Sequence, residues 1–195
     1  SLPRPTDRDA AAKVVATFER IHPGTIMGIA WSPDGKLLAS CSREYGKERG
    51  RIVVWRTADT TVPAFVWDGP GVTSIQFSPD GKSMASSGED GAVTLWQINP
   101  VIAPPIPEKN QRDPSMPVAV HGDARFRYGS WVTSLCFSPD GKLLASSGGN
   151  WGTALWDAES GELVRHFPAH EDAEQHSQVA FSPDGKLLVV AADDL

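Results

Sequence analysis

Apolar residues fall in short runs along this chain, each cut off by turn-forming residues, and the break is written the same way four times. Trp31 is followed by Ser-Pro-Asp-Gly-Lys, and so are Phe77, Phe137 and Phe181. In each copy an aromatic closes one apolar run and a second run follows the lysine. Pro pre-sets the turn between them, and Asp-Gly tolerates tight or left-handed backbone. The pattern predicts four β-hairpins. The copies start 46, 60 and 44 residues apart, which sets a repeat of about 45 residues with one long insertion between the second and third. Trp96 and Trp156 each stand 19 residues after their motif aromatic, whereas Trp55 stands 24 after Trp31. Each closes a β-branched or alternating run, Ile52-Val53-Val54-Trp55, Val93-Thr94-Leu95-Trp96 and Thr153-Ala154-Leu155-Trp156, and so predicts a third strand in each repeat.

These repeated hairpins, the Trp-ended third strands and the Trp156-Asp157 pair resemble WD-repeat β-propeller sequences over residues 13–195. The resemblance implies an all-β fold: a β-propeller of four-stranded antiparallel blades, incomplete in this chain and part of a seven-bladed ring. Residues 1–12, polar and with two prolines, then read as a flexible lead-in. Val14-Val15-Ala16-Thr17-Phe18 becomes an N-terminal clasp strand that supplies the outer strand of the last blade. Repeat one places strands near 25–31, 37–42, 51–55 and 62–67, and repeat two is regular as far as Trp96. Residues 99–107 hold four prolines and favour extended chain before an outer strand near 117–120. The outer strand of repeat three is expected at 163–167, and repeat four supplies strands ending at Phe181 and spanning 187–192. One clasp strand, twelve in three full blades and two in a fourth make fifteen, against twenty-eight in seven four-stranded blades. The remaining blades are therefore expected on a second polypeptide or on a continuation of this one.

Composition narrows the function. A net charge of −6, with 24 acidic against 18 basic residues, argues against an extended phosphate-binding face, so no nucleic acid is expected. No apolar run approaches the ~20 residues that span a bilayer, so no membrane partner is expected either. Cys41 and Cys136 lie two repeats apart and read as buried thiols in a reducing, cytoplasmic setting rather than as a disulfide. His166, His170 and His176 do not read as a metal site, because four-residue spacing on a strand separates side chains by roughly 13 Å. No cofactor is expected.

In the resembled family a loop His, a second-strand Ser or Thr, a turn Asp and the third-strand Trp form a buried relay that pins each blade. The residues that match are His22, Ser40 and Trp55 in repeat one, Ser86, Asp90 and Trp96 in repeat two, and Ser146, Asn150 and Trp156 in repeat three. No repeat carries the full set: Asp68 stands at the His position of repeat two, and His121 is displaced in repeat three. These residues, with Trp31, are expected in blade cores. Sunk there, the serines are not nucleophiles, despite their likeness to a Ser-His-Asp triad. The motif aspartates Asp34, Asp80, Asp140 and Asp184 are explained by turn chemistry.

The resemblance implies that the candidate contact residues lie on the rim opposite the Ser-Pro-Asp-Gly-Lys turns. The five extra residues of repeat one enlarge a charged loop, 43–50, holding Arg43, Tyr45, Lys47 and Arg49, which reads either as a contact or as a solvated loop. Repeat three brings Arg125, Phe126, Arg127, Tyr128 and Trp131 on one loop and Trp151 on another, an aromatic and Arg patch of the kind that anchors protein contacts or packs a long loop onto its blade. The resemblance implies a non-catalytic scaffold that binds partner proteins or peptides. A small-ligand or enzymatic propeller using the central channel, or a sensor domain of a larger protein, is the alternative.

Overall fold

The computed structural model of the chain describes residues 21–98, 119–121, 131–169 and 177–192. Within them the fold is all-β, with no α-helix. The first sheet runs β1 (Thr25–Trp31), β2 (Leu37–Glu44), β3 (Arg49–Arg56) and β4 (Asp59–Gly69), paired antiparallel in that order. The second repeats the order with β5 (Val72–Phe77), β6 (Ser83–Gly88), β7 (Val93–Gln97) and β8 (Ala119–His121). The third has β9 (Ser134–Phe137), β10 (Leu143–Gly148), β11 (Gly152–Asp157) and β12 (Leu163–Phe167). A two-stranded sheet, β13 (Ser177–Phe181) and β14 (Leu188–Ala192), follows. The expected clasp strand lies outside the described residues.

Each Ser-Pro-Asp-Gly-Lys motif is the turn between the first two strands of a sheet, and its residues divide the work. The amide of Gly35 donates to the Ser32 carbonyl at 2.9 Å, closing the turn over Pro33. Gly35, Gly81, Gly141 and Gly185 take φ of 70, 71, 72 and 70°, where a Cβ is strained. Asp34 uses its carboxylate: Oδ1 accepts from Ser32 Oγ at 2.7 Å and from the Lys36 amide at 3.0 Å. The same pair of bonds forms at Asp80, Asp140 and Asp184.

Sheets stack because adjacent residues of a strand point to opposite faces. Met84 on β6 enters the seam with the first sheet, beside Cys41, Ile52, Ile75, Phe77 and Trp96. Its neighbour Ala85 enters the seam with the third sheet, beside Leu95, Leu135, Phe137, Leu144 and Trp156. The first strand of each sheet lies against the first two strands of the sheet before it: β5 on β1 and β2, β9 on β5 and β6, β13 on β9 and β10. On the outer strand β4, Pro63 sits opposite Trp55 where the register slips, a place a residue without an N–H tolerates.

One core expectation fails. Trp31 is 59% exposed, whereas Phe77 and Phe137 at the same repeat position are 7% and 8% exposed. The preceding sheet covers those two phenylalanines, and among the described residues no sheet lies on that side of β1. Ile29 is uncovered with Trp31, and Leu187 and Val189 are uncovered on the last sheet.

Candidate functional site

The expected enlarged loop at 43–50 is instead a longer hairpin. Arg43 pairs with Gly50 and Glu44 with Arg49 in continuous antiparallel register, so the extra residues extend β2 and β3 and leave a tip of residues 45–48. A ladder costs less than a loose loop here because the backbone groups satisfy one another. Ion pairs brace it: Lys47 with Glu44 at 2.5 Å, and Arg51 with Asp68 on the adjacent strand. Arg51 uses both prongs of one guanidinium edge, Nε to Oδ1 at 2.6 Å and Nη2 to Oδ2 at 2.9 Å, and also donates to the Ile21 carbonyl. Asp68, at the family's histidine position, is thus committed to Arg51.

The hairpin carries Arg43 into a junction of three sheets. Its side chain is only 7% exposed, and Nη1 lies 2.7 Å from Glu89 Oε1 on the next sheet. Nη2 donates to the Tyr45 hydroxyl. The Tyr45 ring lies 4.1 Å from the guanidinium carbon and the Trp131 ring 5.2 Å from it, both within cation–π reach. Nε is buried with no hydrogen-bond partner. Backbone yields room for this packing: a Cβ on Gly71 would stand 2.3 Å from Glu89 Oε2. Tyr45 is 68% and Trp131 38% exposed, so the junction is buried at its cation and aromatic at its surface.

Trp131 and Trp151 line one small cleft of about 20 Å³ with Gly91, Val93, Ser146 and Trp156. Trp151 stacks on His166 at 3.8 Å between ring centroids, and its carbonyl lies 2.8 Å from His166 Nε2. That bond commits one of the three histidines weighed as a metal set; His170 and His176 lie outside the described residues. Asn150 sits exposed in a single 3-10 turn, Gly149–Trp151. Lys47 on the hairpin tip and Arg49 beside it at the start of β3 are exposed. Arg125, Phe126, Arg127 and Tyr128 lie outside the described residues.

The relay residues form pieces of the expected network. His22 bridges two serines, with Nε2 2.6 Å from Ser40 and Nδ1 2.8 Å from Ser42, and meets the Trp55 ring edge-on at 6.3 Å. Burial, and then the nearby Arg51 charge, lowers the His22 pKa, so the ring is held neutral. In the second and third sheets the Trp–Ser link forms: Trp96 Nε1 donates to Ser86 Oγ and Trp156 Nε1 to Ser146 Oγ, both at 2.9 Å. Asp90 accepts from the Ala92 amide at 3.1 Å and so caps its own turn. Trp67, outside the repeat pattern, packs edge-on against Trp96 at 5.4 Å.

Sequence reading missed a second set of seam residues. Buried Thr73 reaches the Ser87 carbonyl at 3.1 Å and also the carbonyl of Val132 on the segment leading into β9. Thr133, in the same repeat position, reaches the Ser177 carbonyl of the next sheet at 2.8 Å. Ser147 Oγ and Ser177 Oγ lie 2.5 Å apart. The signal available was a hydroxyl four residues before each of Phe77, Phe137 and Phe181; in repeat one Met27 stands there. Both cysteines are free; burial pushes the Cys41 thiol up to about 12 and that of Cys136 to about 11, which leaves both poor nucleophiles.

The four-stranded sheets repeat, stacked first strand on first strand, with Trp–Ser links inside the second and third. The family model described as WD domain, G-beta repeat matches residues 12–56, 61–97 and 161–194, and that of the anaphase-promoting complex subunit 4 WD40 domain matches 120–176. The chain belongs to the WD-repeat family. The sheets are its blades. Relatives of this WD-repeat chain include the guanine nucleotide-binding protein subunit beta of Zea mays, 26% identical over 89% of this chain and 43% of the relative. The Protein LST8 homolog of Drosophila melanogaster is 27% identical over 91% of this chain and 50% of its own length. Protein HIR1 of Kluyveromyces lactis is 27% identical over 63% and 14%. This chain thus spans half or less of the length of these relatives. Among the described residues no helix is long and apolar enough to cross a membrane.

Proposed function

We propose that this WD-repeat segment is a non-catalytic interaction platform that docks partner proteins or peptides on the rim formed by Tyr45, Arg43 and Trp131, with Trp151 in the adjoining cleft. The observation that carries the reading is the exposed aromatic pair stacked about a buried arginine where three blades meet, since aromatic and Arg anchors dominate protein contacts. The exposed charges Lys47 and Arg49 lie at its edge, and Arg125, Phe126, Arg127 and Tyr128 belong to the sequence just before Trp131. The channel-based alternative is weaker because the Thr73 and Thr133 hydroxyls, at the starts of the first strands of their sheets, are spent on bonds between blades, to the carbonyls of Val132 and Ser177. The two free cysteines suit a reducing compartment such as the cytoplasm.

The uncovered faces support a larger ring, seven-bladed in our reading, with the other blades supplied by a second polypeptide or by more of this one. Trp31 and Ile29 at one side and Leu187 and Val189 at the other occupy positions that further blades would cover. The platform is tested by comparing proteins cross-linked to the wild-type chain and to a Tyr45→Ala, Trp131→Ala variant of unchanged unfolding midpoint. Selective loss of particular partners is expected. An unchanged set removes this rim from the role.

A further inference from the structure

The guanidinium of Arg43 is used unevenly. Glu89 takes Nη1, and only a neutral hydroxyl, that of Tyr45, lies on the edge that carries Nη2 and Nε. Nε on that edge has no partner, although the side chain is 93% removed from solvent by the 7% exposure above. Arg51, eight residues on, shows what such an edge accepts, because its Nε and Nη2 together hold both oxygens of Asp68. A side-on carboxylate matches two parallel N–H donors, and a phenol oxygen matches only one. An unmet buried donor retains its desolvation cost until an acceptor reaches it. Tyr45, whose hydroxyl takes Nη2 and whose ring lies over the guanidinium, stands on a hairpin tip and is 68% exposed, so it is free to move.

We infer that Arg43 is a carboxylate-binding site, in which a Glu or Asp side chain of a docked protein segment takes the Nε–Nη2 edge after Tyr45 swings aside. The segment's neighbouring residues then lie between the Tyr45 and Trp131 rings. Glu89 stays on the opposite edge, so the entering carboxylate bonds the one prong pair that lacks an anion. The inference rests on the platform reading and sharpens it to acidic segments.

The test uses the whole chain and three peptides: acetyl-Ala-Ala-Glu-Ala-Ala-amide, its Gln twin, and penta-alanine with a free C-terminus. The readout is the ¹⁵N–¹H resonance of Arg43 Nε, assigned by its loss in Arg43→Lys. The Glu peptide is expected to shift that resonance saturably, with the Gln twin at least about tenfold weaker, because a bond to a charged group is lost. Tyr45→Phe keeps the ring and removes the competing hydroxyl, so it is expected to tighten Glu-peptide binding by about threefold or more. A purely structural Arg43 would show no such gain. Equal binding of Glu and Gln peptides, no shift of the resonance, or a preference for penta-alanine each overturns the assignment. Failure here with selective partner loss in the Tyr45→Ala, Trp131→Ala comparison leaves the platform standing, whereas failure of both removes the rim.

Discussion

Pro33 Cδ lies 3.5 Å from the point where a Cβ on Gly81 would stand, so the turn of one blade rests on the turn of the next. The same 3.5 Å contact joins Pro79 to Gly141 and Pro139 to Gly185. At Gly35 nothing lies within 4 Å of that point. The spacing is ordinary van der Waals contact, which means that a methyl group fits and that backbone conformation sets the cost of filling it.

It follows that Gly35→Ala and Gly141→Ala lose similar stability, about 1 kcal/mol each, because both glycines hold φ near +70° and crowding differs without clashing. Urea midpoints of the two variants should agree. A much larger loss at Gly141 would mean that the proline contact is tighter than it looks.

The Trp96–Ser86 bond is buried on both sides, with the tryptophan 3% and the serine 5% exposed. Ser86→Ala strands an indole N–H and should cost about 1–3 kcal/mol. Trp96→Phe on that background should add less than it does alone, and a double-mutant cycle on unfolding free energy reads the coupling. Strict additivity would argue against the bond.

His22 sets a pH dependence. Its folded pKa lies below 6.5, so in acid the unfolded chain takes the proton more readily than the folded one. Stability is therefore full above pH 6.5 and declines as the pH falls below it. His22→Gln should flatten the profile of unfolding midpoint between pH 8 and 5.5; an equal decline in both proteins would place the titrating group elsewhere.

Thr73→Val keeps the shape of the side chain and removes its hydroxyl, which reaches backbone on both sides of the seam between the second and third blades. About 1–2 kcal/mol should be lost. Hydrogen exchange should quicken along β5 and β9 before it does along β2. Uniform acceleration across the chain would show that the bond has no special place in the seam.

What could be read in the residues was whatever repeats. Four Ser-Pro-Asp-Gly-Lys copies fixed the hairpins, and the Trp spacing located the third strands, because turn chemistry and period-two alternation act within a few residues. The fate of Trp31 was hidden, since its exposure depends on the neighbour of its blade rather than on its own flanks. The junction at Arg43 was half visible. Loop position singled out Arg43, Tyr45 and Trp131, but their union with Glu89 brings together residues 43 and 131, and no local pattern encodes that. The 43–50 insertion was misjudged because an extra length of charged residues looks alike as coil and as hairpin until its register is known.

The threonine grips have a further consequence. Thr73 and Thr133 seize main-chain carbonyls, and every residue type offers one, so a seam of this kind asks almost nothing of the side chains opposite. Repeats joined in that way are free to diverge in composition, exchange loops and take on separate tasks without losing their alignment.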